Sequence, residues 1–520
     1  MKGKDMEDEK NEIEMLSNTR KNIISWYPFE PNATLLEINA DSKQITEELK
    51  KKIKNVTIIE SSEIENISER FDYITIIGIE NIEDIQQILK NVKRLLNQNG
   101  KLLIAMNNKY SIKNLSTKSG IDKILNNNNR EYTLNQILDM LQQYGFNNAK
   151  TYYPLTDYKF TNVIFTDKKI LKSELSRNIV YNSEDEIKFF EENDLMDKLL
   201  EDNIEFKNFT NSYFIEVFNG EYTDNEIRLV TFANMRKDEY KIITIMKNDF
   251  IYKYPDNEKS KKHIENVKKN IDIMLNSKLK TIDSYDDEKI ISKYVENDTF
   301  DRIILNTVKK ESKDKALELI KKFEQTLLDN LEEGSKENNV FDRYEIEYEK
   351  DIINNMKFAK YGLWDLIFQN CFYIDNDFYF YDQEWMEENI PIKFILYRAV
   401  KYFTKIRKYI SIEELYEYLN IDEKELEIFE KLDDKIQEKS RNDNTWKIQK
   451  NGKNIEELRI QKLTDNHTIN LLNNEIQNKN NEIAELKKVY ENTQNKIDFI
   501  YQSKSWKIAE KLRKIRQMFK

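Results

Sequence analysis

Four polar side chains in the second half of the chain, Lys253, Asp365, Asn370 and Asp382, are of the types that phosphoryl transfer uses. Asn370 follows Asp365 by five residues, and Asp382 comes twelve residues later. Carboxylate and amide oxygens bind Mg²⁺, a carboxylate can take the proton of a hydroxyl group, and an ammonium group can pair with phosphates. This set is therefore a candidate site for a metal–nucleotide complex.

The sequence around this set predicts a β-hairpin. In GLWDLIFQNCFYIDNDFYFYDQEW, residues 362–385, CFYI and FYFY are strand patterns on either side of Asp375-Asn376-Asp377, which is a turn signal. Asp382 follows the predicted hairpin. Lys253 lies in a short strand pattern that is followed by a helix pattern.

The order Lys253, Asp365, Asn370, Asp382 resembles the kinase-like fold of aminoglycoside and choline phosphotransferases. The resemblance implies that Asp365 is catalytic, that Asn370 and Asp382 hold the metal, that Lys253 pairs with the α- and β-phosphates, and that Mg-ATP is a cofactor. The chain departs from the pattern at Trp364, where His or Gly is usual, and no glycine loop precedes the lysine. No carboxylate that would orient the lysine is readable. The alternative is that the carboxylates only cap the hairpin and its loops.

A second set lies in the first third of the chain. LLEINADSKQIT (35–46), FDYITIIGIENI (71–82), LLNQNGKLLIAMNNKYSIKN (95–114) and YGFNNAKTYYPLTDYKF (144–160) resemble segments of class I S-adenosylmethionine-dependent methyltransferases. The resemblance is closest to the methyltransferase domains of bacterial surface-polysaccharide biosynthesis proteins of the lipopolysaccharide and rhamnan type. It implies a Rossmann-like fold and S-adenosylmethionine as a cofactor.

The resemblance also implies cofactor-binding positions. Glu37 is the acidic residue of the first motif, Asn39, Asp41 and Lys43 occupy its glycine positions, and Glu60 is the carboxylate for the ribose hydroxyls. Glycine lets the backbone approach a cofactor because it has no Cβ. Asn and Asp tolerate a left-handed backbone, but their side chains fill space.

Two alternatives follow for this domain: it binds S-adenosylmethionine weakly, or it has lost the cofactor. The segment between Glu60 and Phe71 is shorter than is usual for the group, which removes part of the adenine wall.

Strand and helix patterns alternate across residues 22–170 and predict a parallel α/β sheet beneath these positions. Ser42 is the predicted N-cap of the first helix, and Gly145 is the predicted C-cap of the last. The predicted strands are 33–38, 55–60, 71–78, 101–106, 149–153 and 162–165, and the predicted helices are 42–53, 82–96 and 133–144.

The predicted fold class is α/β, with a Rossmann-like class I methyltransferase fold, then an α+β kinase-like domain, then a C-terminal α-helical coiled coil. NFTNSYFIEVF (208–218), in the segment between the two domains, resembles the same surface-glycan proteins. The predicted boundaries are an N-terminal extension at 1–21, the methyltransferase-like domain at 22–170, a connecting segment at 171–225, the kinase-like domain at 226–435, a linker at 436–453, the coiled coil at 454–501 and a basic amphipathic tail at 502–520.

The coiled coil is predicted from a heptad pattern that two polar d positions, Lys479 and Thr493, interrupt. It indicates a homo-oligomer or a glycosyltransferase partner. The tail SKSWKIAEKLRKIRQMFK has seven Lys or Arg and one Glu, which is typical of a helix on an anionic membrane surface. A solvated tail is the alternative. The apolar heptad residues are Ile469, Leu472, Ile476, Ile483, Leu486, Tyr490, Ile497 and Ile500.

Composition excludes several classes of function. The net charge of -11 argues against nucleic acid as a partner. Two histidines are too few for a histidine-rich metal site, and both are expected on the surface. The nine glycines form no phosphate-binding glycine motif. One cysteine and a polar N-terminus favour a cytoplasmic location, peripheral at the inner face of the membrane if the tail binds there.

The resemblance to surface-polysaccharide proteins implies a protein that makes or modifies a surface glycan, either a polysaccharide or a flagellin glycan. The reaction is methyl transfer to a sugar or glycan acceptor if the first domain is active, and phosphoryl transfer if the second is. The contrasting hypothesis is a non-catalytic scaffold in which both folds have decayed and which gathers glycan enzymes at the membrane.

Overall fold

The computed structural model describes residues 18–125, 130–168, 187–202, 206–441 and 453–518. Most of the predicted N-terminal extension and of the linker at 436–453 lies outside these ranges. The chain divides into two compact units. The first comprises Met1–Glu186 and Phe190–Asn451, and the second comprises Ile187–Phe189 and Gly452–Lys520.

Nineteen strands are found within the described residues. In chain order they are β1 (Thr34–Ile38), β2 (Asn55–Ile59), β3 (Phe71–Ile77), β4 (Leu96–Asn107), β5 (Asn148–Leu155), β6 (Val163–Thr166), β7 (Ile187–Lys188), β8 (Ser212–Phe218), β9 (Ile227–Phe232), β10 (Ile242–Lys247), β11 (Phe250–Pro255), β12 (Lys280–Thr281), β13 (Asp283–Tyr285), β14 (Ile290–Lys293), β15 (Phe358–Leu363), β16 (Cys371–Ile374), β17 (Asp377–Phe380), β18 (Met386–Pro391) and β19 (Lys453–Asn454).

The helices connect and cover these strands. In chain order they are α1 (Asn22–Ser25), α2 (Lys43–Lys52), α3 (Ile85–Leu95), α4 (Ile112–Ser116), α5 (Lys118–Leu125), α6 (Leu134–Gln143), α7 (Glu192–Asp202), α8 (Phe206–Phe209), α9 (Lys261–Asn276), α10 (Phe300–Lys310), α11 (Lys313–Asn330), α12 (Val340–Arg343), α13 (Lys350–Asn354), α14 (Ile392–Lys401), α15 (Ile412–Tyr418), α16 (Glu423–Ser440), α17 (Ile455–Gln502) and α18 (Lys504–Met518).

One twelve-stranded sheet runs through the first unit in the order β13-β14-β11-β10-β9-β6-β5-β8-β4-β3-β1-β2. At one end, β2, β1, β3 and β4 are parallel, as the sequence predicts for a Rossmann-like domain. β1 and β3 are almost wholly buried because apolar side chains cover both faces of this part of the sheet. The N-cap at Ser42 is confirmed, whereas the C-cap of Leu134–Gln143 is Tyr144 and Gly145 follows it with a φ of 80°.

β8 departs from the predicted boundaries. All seven of its residues are buried, and it lies antiparallel between β4 and β5. It belongs to the segment 171–225 that was predicted to be a connector. A strand inserted between two others needs apolar side chains on both faces, which explains why this short segment is as apolar as the core strands.

The sheet continues without a break into the predicted kinase-like region, because β6 pairs with β9. β9, β10, β11, β14 and β13 follow as antiparallel neighbours. The helix predicted after Lys253 is present as α9, and its apolar side chains Ile264, Val267, Ile271 and Met274 are buried.

The rest of the first unit is mainly helical. The predicted hairpin is confirmed as β16 and β17, with Asp375 and Asn376 at positive φ in the turn between them. β15 pairs with β18. A large apolar cluster centred on aromatic side chains such as Phe300, Phe323 and Phe368 joins the hairpin to the helices α10, α11 and α14–α16.

The second unit consists of the two-stranded pair β7 and β19 with the helices α17 and α18. The predicted helix over 454–501 is therefore present, and α17 is 48 residues long. Its heptad side chains from Ile469 to Ile500 are at least 37% exposed. No helix in the described ranges has both the length and the apolar character needed to cross a membrane.

Candidate functional site

Residues 39–43 follow β1 and end at the first residue of α2. They form the turn at which the sequence places the cofactor, and we call them the cofactor turn. Asn39 has a φ of 51°, so it adopts the left-handed backbone that glycine would otherwise supply. Its side-chain oxygen accepts a hydrogen bond from the backbone N–H of Ser61, at 2.6 Å. Glu37 is buried at the end of β1 and accepts a hydrogen bond from the hydroxyl of Thr46, at 2.8 Å. Burial raises the pKa of Glu37 to about 7.

Asp41 is held by an arginine that the sequence did not suggest. The Arg20 guanidinium forms an ion pair with the Asp41 carboxylate, and their side chains are 3% and 8% exposed. The same guanidinium lies 5.5 Å from the centre of the Tyr158 ring. Arg20 belongs to the part of the chain predicted to be an N-terminal extension, so its position in the site was not readable from spacing.

The space around Gly78, at the end of β3, is filled by the same group of residues. A Cβ on Gly78 would lie 2.9 Å from Asn81, 3.1 Å from the Tyr158 hydroxyl and 3.3 Å from the Asp41 carboxylate. The Tyr158 hydroxyl donates a hydrogen bond to Glu80 at 2.7 Å. This face of the cofactor turn is therefore packed with the protein's own side chains.

Glu60 and Lys43, the other predicted cofactor-binding residues, do not belong to this packed group. Glu60 is exposed immediately after β2, and its backbone N–H donates to the Glu63 carboxylate at 2.9 Å. Lys43 is 80% exposed and pairs only loosely with Glu47, at 3.6 Å. The residues present thus fit the ribose end of S-adenosylmethionine, where Glu60 is accessible. They leave little room at the Asp41 end of the turn.

The second candidate site is centred on Lys253, in β11. Its ammonium group forms ion pairs with the Asp382 carboxylate and with Glu384, the latter at 2.7 Å. The Lys253 and Glu384 side chains are 11% and 3% exposed, whereas Asp382 is 38% exposed. The structure therefore brings two of the predicted residues together and adds Glu384, the orienting carboxylate that the sequence left unnamed.

Glu384 binds three basic groups. Besides Lys253, its carboxylate pairs with the Arg236 guanidinium and lies 3.3 Å from His263 Nε2. Burial alone would raise the pKa of Glu384, but the charges of Arg236 and Lys253, together with His263, hold it well below its usual value. The expectation that His263 is a surface residue is wrong. It is 3% exposed and packs against the rings of Tyr240 and Trp385 at the start of α9.

A cavity of about 580 Å³ opens beside these charges, and we call it the Lys253 cavity. Side chains from β9, β10 and β11 line one side, and the segment 292–299 lines another. Lys253, Arg236, Asp382 and Glu384 all contribute to its wall. Its size and mixed apolar and charged lining suit a ligand with a flat apolar part and an anionic part.

Asp365 and Asn370 lie next to each other but are not among the residues that line this cavity. The Asn370 side-chain amide donates to the Asp365 carbonyl oxygen at 3.2 Å, and so does the amide of Gln383 at 3.0 Å. The Asp365 carboxylate pairs with Arg398 at 3.1 Å. Burial raises the pKa of Asp365, and the positive charge of Arg398 acts in the opposite direction.

Of the two predicted metal ligands, Asp382 lines the Lys253 cavity and Asn370 does not, although the backbone N–H of Tyr381, next to Asp382, donates to the Asn370 carbonyl oxygen at 3.0 Å. Within the described parts of the chain, no group of three or more His, Cys, Asp or Glu side chains could hold a metal ion. Mg²⁺ in nucleotide sites is commonly bound through one or two carboxylates plus the phosphates themselves. Asp382, as the exposed carboxylate on the Lys253 cavity, fits that role.

Comparisons with known proteins concern the first site. The model of the ubiE/COQ5 methyltransferase family matches residues 24–119, which contain β1–β4 and the cofactor turn. No curated protein matches the chain.

Solved structures with a low overall similarity to this chain include three methyltransferases. One is a SAM-dependent methyltransferase from Thermotoga maritima, described as a possible histamine N-methyltransferase (13% identity, 41% of this chain and 95% of that one, TM-score 0.24). The second is a SAM-dependent methyltransferase from Archaeoglobus fulgidus (13%, 39% and 94%, TM-score 0.26). The third is phosphoethanolamine N-methyltransferase 2 from Haemonchus contortus, with S-adenosyl-L-methionine (13%, 39% and 53%, TM-score 0.24).

The family match and the parallel strands β2-β1-β3-β4 agree with each other and with the sequence. The first part of the chain carries a Rossmann-like domain, and residues 24–119 of it match a class I methyltransferase family model.

Proposed function

We propose that this protein is a SAM-dependent methyltransferase of surface-glycan assembly, acting on a hydroxyl or amine of a sugar or its substituent. The observation that carries the proposal is the family match at residues 24–119, since it coincides with the strands that form the cofactor turn. The glycan acceptor is inferred from the resemblance of 144–160 and 208–218 to surface-polysaccharide proteins.

In this proposal the protein contributes mainly by positioning the two reactants. Glu60 would hold the ribose hydroxyls, and Asn39 would keep the turn in its left-handed conformation. The cofactor supplies the methyl group. The Arg20–Asp41 ion pair narrows the far side of the turn, so we expect the affinity for S-adenosylmethionine to be modest.

Calorimetric titration of S-adenosylmethionine into the full-length protein tests this proposal. We expect binding that is lost in Glu60→Ala and kept in Glu69→Ala, a matched control at an exposed glutamate of the same loop. If the wild-type protein binds no S-adenosylmethionine at millimolar concentration, the methyltransferase proposal is wrong and the scaffold hypothesis replaces it.

A second candidate function is supported by the Lys253 cavity. We propose that it binds Mg-ATP for phosphoryl transfer to a sugar hydroxyl, because an ammonium group and an exposed carboxylate share its wall. Lys253 would pair with the α- and β-phosphates, and Asp382 would hold Mg²⁺. The acceptor hydroxyl oxygen would bond to the γ-phosphorus as the bond from that phosphorus to the leaving ADP oxygen breaks, and the hydroxyl proton would pass to solvent. Asp365, the base that the resemblance implies, pairs with Arg398 and does not line the cavity, so it is not assigned this step. The side-chain amide of Asn370 donates a hydrogen bond to the backbone carbonyl oxygen of Asp365.

Thermal unfolding with nucleotide tests the second candidate. A ligand that binds only the folded state raises the melting temperature, so Mg-ATP should raise it and ATP with a chelator should not. Asp382→Ala should abolish the shift, whereas Asp377→Ala should keep it, because Asp377 is an exposed carboxylate of the hairpin that lies outside the cavity. An unchanged melting curve in saturating Mg-ATP would contradict this function.

A further inference from the structure

The loop between β9 and β10 (233–241) borders the Lys253 cavity and contains no glycine. Phosphate-binding loops use glycine so that backbone N–H groups can approach the phosphates. That solution is not available to this loop. In this loop, a side chain is therefore the group available to bind a phosphate.

Arg236 is the residue of this loop that is placed to do so. It lines the cavity, and its guanidinium pairs with Glu384 and lies 5.5 Å from the centre of the Trp385 ring. Its side chain is 29% exposed, so part of it faces the open space. A guanidinium can donate two parallel hydrogen bonds to phosphate oxygens while keeping other contacts.

The charges in the cavity wall also favour an anionic ligand. Arg236 and Lys253 provide two positive charges that share one buried carboxylate, Glu384. The second carboxylate, Asp382, is the more exposed one and is the group that a divalent cation would take up. The lining also contains Lys293 and Arg302 against Glu296 and Asp298, so its positive and negative side chains are equal in number. A divalent cation on Asp382 would therefore leave net positive charge facing the cavity.

We propose that Arg236 is a phosphate-binding residue of the Lys253 cavity and takes the place of a glycine loop. The ligand class is a nucleoside di- or triphosphate with Mg²⁺. Arg236 from the β9–β10 loop and Lys253 from β11 contact its phosphates, and Glu384, which pairs with both, fixes the distance between them. This inference rests on the second candidate function proposed above.

The neighbouring lysine provides a matched control. Lys237 has the same charge and lies in the same loop, but its ammonium group donates to the carbonyl oxygen of Glu438, at 2.9 Å. It does not line the cavity. A general effect of positive charge in this loop would be lost equally in Lys237→Ala and Arg236→Ala, whereas a phosphate contact would be lost only in the second.

The test is a calorimetric titration of the full-length protein with Mg-ATP, Mg-ADP and adenosine. Charge-assisted hydrogen bonds of this kind predict that Arg236→Ala weakens Mg-ATP and Mg-ADP binding roughly 10- to 100-fold and leaves adenosine binding unchanged. Lys237→Ala should bind all three ligands as the wild type does, and Arg236→Lys should fall between the two. Because Arg236→Ala leaves Glu384 with fewer partners, its melting curve is compared with that of Arg236→Lys, which keeps the charge.

Two results would overturn the inference, and they separate the failure of Arg236 as a phosphate contact from the failure of the nucleotide site. If the wild type binds Mg-ATP and Arg236→Ala and Arg236→Lys, both folded, bind it equally well, the cavity is a nucleotide site but Arg236 is not its phosphate contact. If the wild type binds neither Mg-ATP nor adenosine, the second candidate function fails and the role of Arg236 fails with it.

Discussion

The Lys253 ammonium group lies 2.7 Å from the Glu384 carboxylate, and Glu384 is the carboxylate that holds this lysine in the wall of the cavity. The two residues are 131 positions apart in sequence. Glu384 is two residues beyond Asp382, which also pairs with Lys253. One short segment therefore supplies both the group that orients the lysine and the group assigned to the metal.

Glu384→Gln should destabilise the protein, because Arg236 and Lys253 would lose their shared buried counter-charge. We expect the free energy of unfolding at pH 7 to fall by about 3 kcal/mol, measured by urea denaturation. The folded-state pKa of Glu384 is depressed, so its contribution is present above the unfolded value near 4.5 and is lost as the pH falls through the folded value. The difference in the free energy of unfolding between the wild type and Glu384→Gln should therefore become smaller below about pH 4.5. Asp377→Asn, at an exposed ion pair, is the control and should cause no measurable change. A difference that grows on acidification would contradict this account.

Glu37→Gln should increase the stability of the protein above neutral pH, in contrast to Glu384→Gln. Burial raises the folded-state pKa of Glu37 from 4.5 to about 7, so its favourable contribution is fully present below pH 4.5 and is lost as the pH rises to about 7. The glutamine can still accept the hydrogen bond from Thr46. We expect the variant to be more stable than the wild type at pH 8, by on the order of 2 kcal/mol, and to match it near pH 4. Denaturant unfolding at the two pH values measures this, and an equal difference at both would show that Glu37 does not titrate as stated.

The first four strands and the hairpin were predictable because each depends on local sequence. β1 and β3 are short runs of mainly apolar residues, and Asp375-Asn376 is a strong turn signal. The position of β8 in the sheet was not predictable, because its partners β4 and β5 are distant from it in sequence. A buried strand can be recognised from composition, but its place in a sheet depends on pairing that spacing does not encode.

The candidate sites were predictable only in part, for the same reason. Lys253 and Asp382 do meet, as the order of motifs suggested. Arg236, His263 and Glu384 come from a loop, a helix and a segment after a hairpin, and their types alone do not mark them. Arg20 precedes the first strand and had no motif to attach it to the cofactor turn.

The heptad stripe of α17 should make the protein self-associate. Ile469, Leu472, Ile476 and Leu486 are 53%, 53%, 57% and 67% exposed in the single chain, and pairing with another helix would bury them. Sedimentation equilibrium should show an oligomer for the wild type and a shift towards monomer for Leu486→Asp. Leu471→Asp is the control, because Leu471 is 56% exposed but lies off the stripe. A wild-type monomer at all concentrations would exclude the coiled coil as a homo-oligomer.

Deleting residues 503–520 should release the protein from anionic vesicles. The basic side chains of α18 should each contribute about 1 kcal/mol near an anionic surface, and salt should screen much of this. Co-sedimentation with vesicles of mixed phosphatidylserine and phosphatidylcholine measures the binding, and pure phosphatidylcholine vesicles are the control. Equal binding of the deleted and the full-length protein would rule out the tail as a membrane contact.

We propose that the first domain binds S-adenosylmethionine in a site that the Arg20–Asp41 ion pair narrows. The most direct measurement is the dissociation constant of S-adenosylmethionine for the wild type and for Asp41→Gly, determined by calorimetry on protein whose melting curve shows it to be folded. We predict a wild-type value no tighter than tens of micromolar, equivalent to roughly 6 kcal/mol. Asp41→Gly should bind about tenfold more tightly, because it opens the turn and leaves the Arg20 guanidinium to pair with the carboxylate of the ligand. Submicromolar binding by the wild type, or no gain in Asp41→Gly, would contradict the claim.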